Sequence, residues 1–318
     1  MPIDPQAARL MAMLGASRPT DWPSVSAVER RAGFAALMRM AGAPPALPSV
    51  RPVAVAGAEG PLEARLYAPS RDPGPGLVYF HGGGFVAGDL DTHDALCRSL
   101  ALGAGCRVVS VAYRLAPEHP FPAAVDDAEA ATADVIARAA AFDIDPARVA
   151  VGGDSAGGTL ATLAAGALGP RLALQLLLCP VLDAAPATAS RRSFARGHLL
   201  DAAMMARDLA DYAPGAPDPA DPRLSPLHRP GLAAMPRALI HTAEFDPLRD
   251  EGALYAERLA AAGVAVEHRC HPGMIHHFYG LTGLVPAARA ALGAIAAGLG
   301  AALAGSDAPG RPGAGAAL

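Results

Sequence analysis

A serine held between glycines is the first candidate nucleophile in this chain. The stretch RVAVGGDSAGGTLATLAAG contains the pattern G-x-S-x-G at Gly153, Ser155 and Gly157, between a short apolar run and a stretch of small residues typical of a helix. A serine on a tight strand-to-helix turn has its hydroxyl exposed at the edge of a sheet, and glycine is the residue small enough to flank it. The pattern therefore predicts acyl-transfer chemistry at Ser155.

Three consecutive glycines follow an apolar run earlier in the chain. Gly82, Gly83 and Gly84 come directly after GLVYF and His81. Peptide N–H groups without side chains can approach a reacting carbonyl closely, which is what the stabilisation of an oxyanion requires. The segment HGGGF is therefore predicted to complement the serine as an oxyanion loop, and a flexible glycine turn is the alternative.

A triad on a hydrolase sheet runs in the chain order serine, acid, histidine. The segment RALIHTAEFDPLRDEG places Glu244, Asp246 and Asp250 after an apolar run, and GMIHHF then supplies His276 and His277 side by side. Asp246 stands where the turn beyond a strand is expected, although an aspartate before proline is also a common start of a helix. The order of these segments favours Asp246 as the acid.

The same histidine-rich segment could instead hold a metal ion. Side chains alternate between the two faces of a strand, so the possible ligands would be scattered, and the sequence contains neither HExxH nor paired CxxC motifs. These observations count against a metal-dependent hydrolase, which is kept as an alternative. The expected mechanism needs neither a metal nor an organic cofactor. The possible ligands are Glu267, His268, Cys270, His271, His276 and His277.

The composition excludes several other mechanisms. The 318 residues include no lysine and no asparagine. A Ser-Lys dyad and a phosphate-binding P-loop need lysine, and a papain-type Cys-His-Asn triad needs asparagine. A net charge of −4 with 52% apolar and 18% charged residues indicates a globular protein without the basic surface of a nucleic-acid binder.

We expect a cytoplasmic protein, because the sequence shows neither a secretory signal nor a strongly apolar run long enough to span a membrane. The N-terminal MPIDPQAARL has no positive-then-apolar order of a secretory signal, and the longest strongly apolar run, LALQLLLCPVL, is short for a membrane span. The alanine-rich stretch at 290–305 is expected to be a packed helix. The four widely spaced cysteines are expected to be free thiols in the reducing cytoplasm, and no stable membrane insertion is expected.

The elements that would position the candidate residues alternate regularly along the chain. Alanine-rich helical stretches separate short apolar runs, which predicts an α/β fold with a mostly parallel sheet covered by helices on both faces. Two further β-patterned runs within 50–69 predict an antiparallel hairpin at one edge. The apolar runs lie at 76–80, 106–113, 148–153, 172–178, 237–243 and 264–270.

The predicted organisation is one core with a helical cap. Residues 46–182 and 230–305 would form the core, and residues 1–45 would supply N-terminal cap helices. The segment 183–229 is too long for a single crossover helix and is expected to be a cap insertion acting as a lid. Residues 306–318 have the composition of a flexible tail.

Taken together, the motifs resemble those of the bacterial hormone-sensitive-lipase-like carboxylesterases of the α/β-hydrolase fold. They are HGGGF, YRLAPEHPFPAAVDDA, GDSAGG, AEFDPLRDEG and GMIHHF, in the family's order from about residue 76 to 279. The resemblance implies Ser155 as nucleophile, Asp246 as acid and His276 as base. It also implies that an oxyanion hole is formed by the N–H groups of Gly83, Gly84 and Ala156.

Family members usually have glycine where this chain has His277, so this imidazole is expected to narrow the substrate site or to add a titrating group. The resemblance implies hydrolysis of short- to medium-chain esters, with a small-molecule ester as the partner, and it is compatible with a homodimer. A non-catalytic protein that binds a small ligand is the alternative on the same fold. The predicted substrate contacts are Phe85, His277, Phe194 and Tyr212.

Overall fold

Eight strands form the centre of the structure, a computed structural model that describes residues 1–15, 21–185, 188–215 and 218–305. The strands are β1 (Ser49–Gly57), β2 (Gly60–Ala68), β3 (Gly74–Phe80), β4 (Arg107–Val111), β5 (Ile144–Asp154), β6 (Leu174–Leu178), β7 (Arg237–Phe245) and β8 (Val266–Ile275). Their order in the sheet is β1-β2-β4-β3-β5-β6-β7-β8. The pairs from β4 through β8 are parallel, and β2 pairs antiparallel with both β1 and β4.

Helices cover both faces of this sheet. They are α1 (Pro5–Gly15), α2 (Ala27–Met40), α3 (Asp94–Ala104), α4 (Ala123–Ala137), α5 (Ala156–Leu168), α6 (Ala189–Ser193), α7 (Ala202–Tyr212), α8 (Arg249–Ala261) and α9 (Pro286–Ala304). Side chains of α4, α5 and α8 share one apolar core with the sheet, and those of α1, α3 and α9 share a second. The predicted α/β-hydrolase architecture and its antiparallel edge hairpin are thus confirmed.

The continuous apolar runs of the central strands follow from this layering. Every residue of β4 and β6 is buried, as expected for strands covered on both faces. Because the strands are parallel, the segments that leave their carboxyl ends meet along one edge of the sheet. The serine, acid and histidine motifs all follow such ends, of β5, β7 and β8 respectively.

Helix α9 is long and apolar enough, by length and composition, to cross a membrane. In the structure one side of it is part of the second core, where Leu292, Ile295 and Leu299 are buried together with Leu100 of α3. This is the packing of a core helix, as the alanine-rich composition predicted.

The N-terminal helices and the 188–215 part of the insertion contact each other. The Trp22 indole Nε1 donates to Asp201 Oδ2 at 3.3 Å, and Arg30 of α2 forms a salt bridge of 3.0 Å with Asp208 of α7. These contacts hold the two proposed cap segments together, although the domain limits themselves stay a prediction. The predicted tail at 306–318 lies outside the described residues.

Candidate active site

Ser155 occupies the turn between a strand and a helix, because β5 ends at Asp154 and α5 begins at Ala156. Its backbone has φ 51° and ψ −118°, a conformation that L-residues rarely adopt. A side chain at Gly157 would collide with the carbonyl of Phe80 on β3. The glycine therefore lets the turn approach the sheet closely, which keeps the strained serine at its edge.

His276 lies between Ser155 and Asp246. Its Nε2 is 3.2 Å from Ser155 Oγ, and its Nδ1 is 2.8 Å from Asp246 Oδ2. Asp246 is fully buried, and its Oδ1 accepts a hydrogen bond of 2.8 Å from the Leu248 N–H. A carboxylate that accepts from Nδ1–H leaves Nε2 free to accept a proton from the serine hydroxyl. The three predicted triad residues therefore stand in one hydrogen-bonded chain.

The other two acidic candidates face away from the histidine. Glu244 forms an ion pair of 2.9 Å with the N-terminal amine and accepts a hydrogen bond of 2.8 Å from the Gly273 N–H. Asp250 accepts a hydrogen bond of 2.7 Å from the Ser190 N–H. Of the three acidic candidates, Asp246 is thus the one in contact with His276.

The predicted oxyanion loop lies beside the serine. Gly83 has φ 126° and Gly84 has φ 66°, and both residues line the same cavity as Ser155. A side chain at Gly84 would collide with the carboxylate of Asp208, so space as well as φ requires glycine there. Ala156 is the first residue of α5, where a backbone N–H has no partner within the helix. Gly83 and Gly84 therefore share a cavity with the nucleophile, and Ala156 follows the nucleophile directly in the chain.

The position of Asp208 beside Gly84 was not predicted from the sequence. Asp208 lies on α7, is almost fully buried, and contacts both the Nε and the Nη2 of Arg30 from α2 at 3.0 to 3.3 Å. Burial raises the pKa of Asp208, and the positive charge of Arg30 opposes that rise. Arg30 and Asp208 therefore join both proposed cap segments to the oxyanion loop.

A cavity of about 730 Å³ opens above the triad. Most of its wall is apolar, and both proposed cap segments contribute to it. Two of the four predicted substrate contacts, Phe85 and His277, line it together with Ser155 and His276. The lining residues from α2 and α7 include Phe34, Leu37, Met40, Met204, Met205 and Leu209.

The other two predicted substrate contacts lie elsewhere, so we revise that assignment. Tyr212 is buried behind Phe85, and the two rings stack with a centroid distance of 3.8 Å. Phe194 packs against Phe245 with a centroid distance of 5.8 Å and lies under the Arg249 guanidinium. Both aromatic side chains support the wall of the site rather than facing the cavity.

His277 has a left-handed backbone, with φ 59°. Glycine adopts this conformation without strain, so a family member with glycine at this position could form the same loop. The ring is 4% exposed, and it packs edge-on against Phe34 of α2 and against Tyr279. Its Nδ1 is 3.4 Å from Asp154 Oδ2. Burial lowers the pKa of His277, and the nearby carboxylate opposes that effect.

The ligands of the proposed metal site do not come together, so that alternative loses its geometric basis. His268 Nε2 contacts Thr242 Oγ1 at 3.0 Å, and His271 Nε2 contacts His241 Nδ1 at 3.1 Å. Glu267 and Cys270 are exposed. Among the described residues, two other groups could bring three ligand atoms within 4.8 Å of one another. These are His93 with Asp154 and His277, and Cys179 with Asp246 and His276.

The buried pair of His241 and His271 predicts a loss of stability in acid. Burial, with smaller effects from neighbouring cationic and imidazole groups, lowers the pKa of His241 to about 3 and that of His271 to about 4. Both values lie below the ordinary value of about 6.5. The contribution of this pair to the free energy of unfolding is therefore fully present above about pH 6.5 and is lost as the pH decreases toward 4. Over that range the unfolded chain takes up protons that the folded chain does not.

Thermal unfolding measured between pH 7 and pH 4.5 checks this expectation. His271→Gln keeps a hydrogen-bonding partner for His241 without the titration, so its unfolding midpoint should fall less steeply with acid than that of the wild type. His119→Gln, at an exposed histidine, is the control and should follow the wild type. Equal slopes for His271→Gln and the wild type would contradict the assignment.

Comparison with known proteins agrees with this geometry. Residues 77–280 match the model of a family described as having the alpha/beta hydrolase fold. The chain is 44% identical over 256 residues to Esterase LipI of Mycobacterium tuberculosis, covering 77% of this chain and 80% of that protein. It is 43% identical over 228 residues to an ethyl acetate hydrolase of Pseudomonas putida, covering 68% and 71% of the two chains.

A solved structure extends the similarity over nearly the whole chain. The hyperthermophilic esterase of the archaeon Pyrobaculum calidifontis superimposes with a TM-score of 0.89 at 37% identity, covering 95% of this chain and 99% of that one. The family match spans the segments that carry Ser155, Asp246 and His276. The chain therefore belongs to the α/β hydrolase fold family, in its group of hormone-sensitive-lipase-like carboxylesterases.

Proposed function

We propose that this protein is a serine carboxylesterase that hydrolyses short- to medium-chain esters through an acyl-enzyme intermediate. The observation that carries the proposal is the hydrogen-bonded chain from Ser155 Oγ through His276 to the buried Asp246. The curated relatives include proteins named esterase, carboxylesterase and ethyl acetate hydrolase. Their names support the same class of reaction.

In the first step Ser155 Oγ attacks the ester carbonyl while His276 Nε2 takes the hydroxyl proton. Asp246 holds the imidazole in the required tautomer and stabilises the imidazolium that forms. The negative charge that develops on the carbonyl oxygen is stabilised by the N–H groups of Gly83, Gly84 and Ala156. His276 then donates its proton to the leaving alcohol, and the C–O bond to that alcohol breaks.

In the second step a water molecule attacks the acyl-enzyme. His276 removes a proton from the water, the same N–H groups stabilise the second oxyanion, and the bond between the acyl carbon and Ser155 Oγ breaks. The proton on His276 returns to Ser155, and the carboxylic acid is released. Every proton transfer in this cycle is assigned to a residue of the triad.

The cavity supports a substrate with an apolar acyl or alcohol group of limited length. Its volume of about 730 Å³ is in the range of sites that enclose small ligands. Methionine, leucine and phenylalanine side chains make up much of its wall, and Ser155, His276 and His277 also line it. An ester carbonyl beside Ser155 with its carbon chain toward α2 and α7 fits this division.

Turnover of a series of nitrophenyl esters tests the proposed function. We expect kcat/KM to be high for the acetate, butyrate and hexanoate esters and to fall steeply toward the palmitate ester, because the cavity is bounded. EDTA in the assay should leave these rates unchanged, since the proposed steps use side chains and backbone groups alone. Loss of hydrolysis in EDTA, with an organophosphonate leaving it intact, would favour the metal-dependent alternative. Tight ligand binding without turnover would favour the non-catalytic one.

A further inference from the structure

Three potential metal ligands outside the triad converge on one point behind the nucleophile. One ligand atom from each of His93, Asp154 and His277 lies within 4.8 Å of the other two, and all three side chains are buried. His93 precedes α3, Asp154 ends β5, and His277 follows the base of the triad. The cluster thus joins three separate segments that carry the catalytic machinery.

The distances in the cluster are long for hydrogen bonds. His93 Nε2 and His277 Nδ1 each lie 3.4 Å from Asp154 Oδ2. A hydrogen bond between an imidazolium and a carboxylate is typically about 2.7 to 2.9 Å. Two ligand atoms bound at about 2.0 to 2.1 Å to the same tetrahedral zinc ion are about 3.3 to 3.4 Å apart. The observed separations match the edges of a zinc site better than they match hydrogen bonds.

Contacts on the far side of the His93 ring from Asp154 hold that ring in place. Thr92 Oγ1 donates to the Asp89 carbonyl at 2.9 Å and accepts from the Asp89 N–H at 2.9 Å. His93 Nδ1 lies 3.0 Å from the same oxygen. This contact directs Nε2, the other ring nitrogen, toward Asp154.

The carboxylate is held in place by further groups. Asp154 Oδ1 accepts hydrogen bonds from the Tyr79 hydroxyl at 2.7 Å and from the Gly82 N–H at 3.0 Å. Outer contacts of this kind fix the orientation of metal ligands in known sites. Asp154 and His277 are also among the residues that line the cavity above Ser155.

We propose that His93, Asp154 and His277 bind one Zn²⁺ ion, with water as the fourth ligand. Two imidazoles and one carboxylate form a set that suits zinc, whereas Mg²⁺ and Ca²⁺ require more oxygen ligands. The ion would tie the start of α3, the nucleophile turn and the histidine loop together, and it takes no part in acyl transfer. The site goes beyond the proposed esterase function and does not depend on it.

Zinc binding to the metal-stripped full-length protein, measured by isothermal titration calorimetry, tests the proposal. We expect one Zn²⁺ per chain and a rise in the unfolding midpoint of about 3 °C or more at a large excess of ZnCl₂ over the dissociation constant, with no rise in MgCl₂. His277→Gly removes one ligand at a backbone conformation that glycine accepts, so this variant should fold. We expect it to bind zinc about a hundredfold more weakly.

Two control variants locate the ion. His268→Ala removes a histidine from the same strand but outside the cluster, and it should bind zinc as the wild type does. Cys179→Ser alters the second possible cluster, with Asp246 and His276, and should also leave binding unchanged. Absence of saturable binding to the wild type would overturn the proposal. Unchanged binding in His277→Gly, or its loss in Cys179→Ser, would overturn it as well.

Discussion

Replacing Ser155 by alanine is expected to lower kcat for a short-chain nitrophenyl ester by about a millionfold, because the attacking oxygen is removed. The rate that remains would come from substrate binding and the oxyanion donors acting on water. The structure predicts this size of effect because Ser155 is the side chain that the His276 imidazole contacts through Nε2, at 3.2 Å. Steady-state turnover of nitrophenyl butyrate measures it.

The matched control is Ser70→Ala, at an exposed serine whose hydroxyl contacts the Asp72 carbonyl. This variant should keep the wild-type kcat and KM. If Ser155→Ala retained more than about one hundredth of the wild-type kcat while remaining folded, the nucleophile would have to be another group.

The second large effect is expected at His276. Its replacement by alanine removes the group that accepts the serine proton, so kcat should fall by about 10⁵- to 10⁶-fold while KM changes little. Addition of free imidazole should restore part of the activity of His276→Ala, since a small base can enter the space left beside Ser155. It should restore none to Ser155→Ala.

The adjacent histidine provides the contrast. His277→Gly keeps the triad and relieves a left-handed backbone, so its main effect is expected on KM and on acyl-chain preference, with kcat falling by less than about tenfold. Values of kcat and KM for the two variants and the wild type on the nitrophenyl ester series measure this difference. If His277→Gly were inactive while His276→Ala kept its activity, the base would be assigned to the wrong imidazole.

Much of this site could be predicted from the sequence because its parts are local. The turn around Ser155 needs glycines within two positions of the serine, and the oxyanion loop needs three in succession, so both leave readable patterns. The choice of Asp246 over its neighbours rested on where β7 would end and on the family resemblance. The hydrogen bond from His276 now supports that choice.

Features that depend on packing between distant segments could not be predicted. Nothing near Arg30 indicates that it pairs with Asp208, which lies 178 residues away and presses on the oxyanion loop. Phe194 and Tyr212 are aromatic residues of the insertion, but the direction of their side chains depends on how α6 and α7 pack against the core. The sequence alone could not determine which side chains of the insertion face the cavity.

The histidine-rich segment shows the same limit in another form. Six possible ligands lie between residues 267 and 277. Their side chains alternate between the two faces of β8, and the chain turns after this strand ends, so the six side chains contact different neighbours. His277 instead meets His93 and Asp154, whose positions in the sequence give no sign of their proximity. Spacing along a strand therefore predicted the scattering of the ligands and missed the new cluster that one of them joins.

Covalent labelling with a nitrophenyl alkylphosphonate tests the nucleophile most directly. The reagent transfers its phosphonyl group to an activated serine and releases nitrophenol, giving an adduct that resembles the tetrahedral intermediate. Mass spectrometry of the intact protein and of its peptides locates the label. We predict one adduct per chain, on Ser155, formed in step with the loss of esterase activity and absent from Ser155→Ala. An adduct on another residue, or full activity after Ser155 is labelled, would contradict the account.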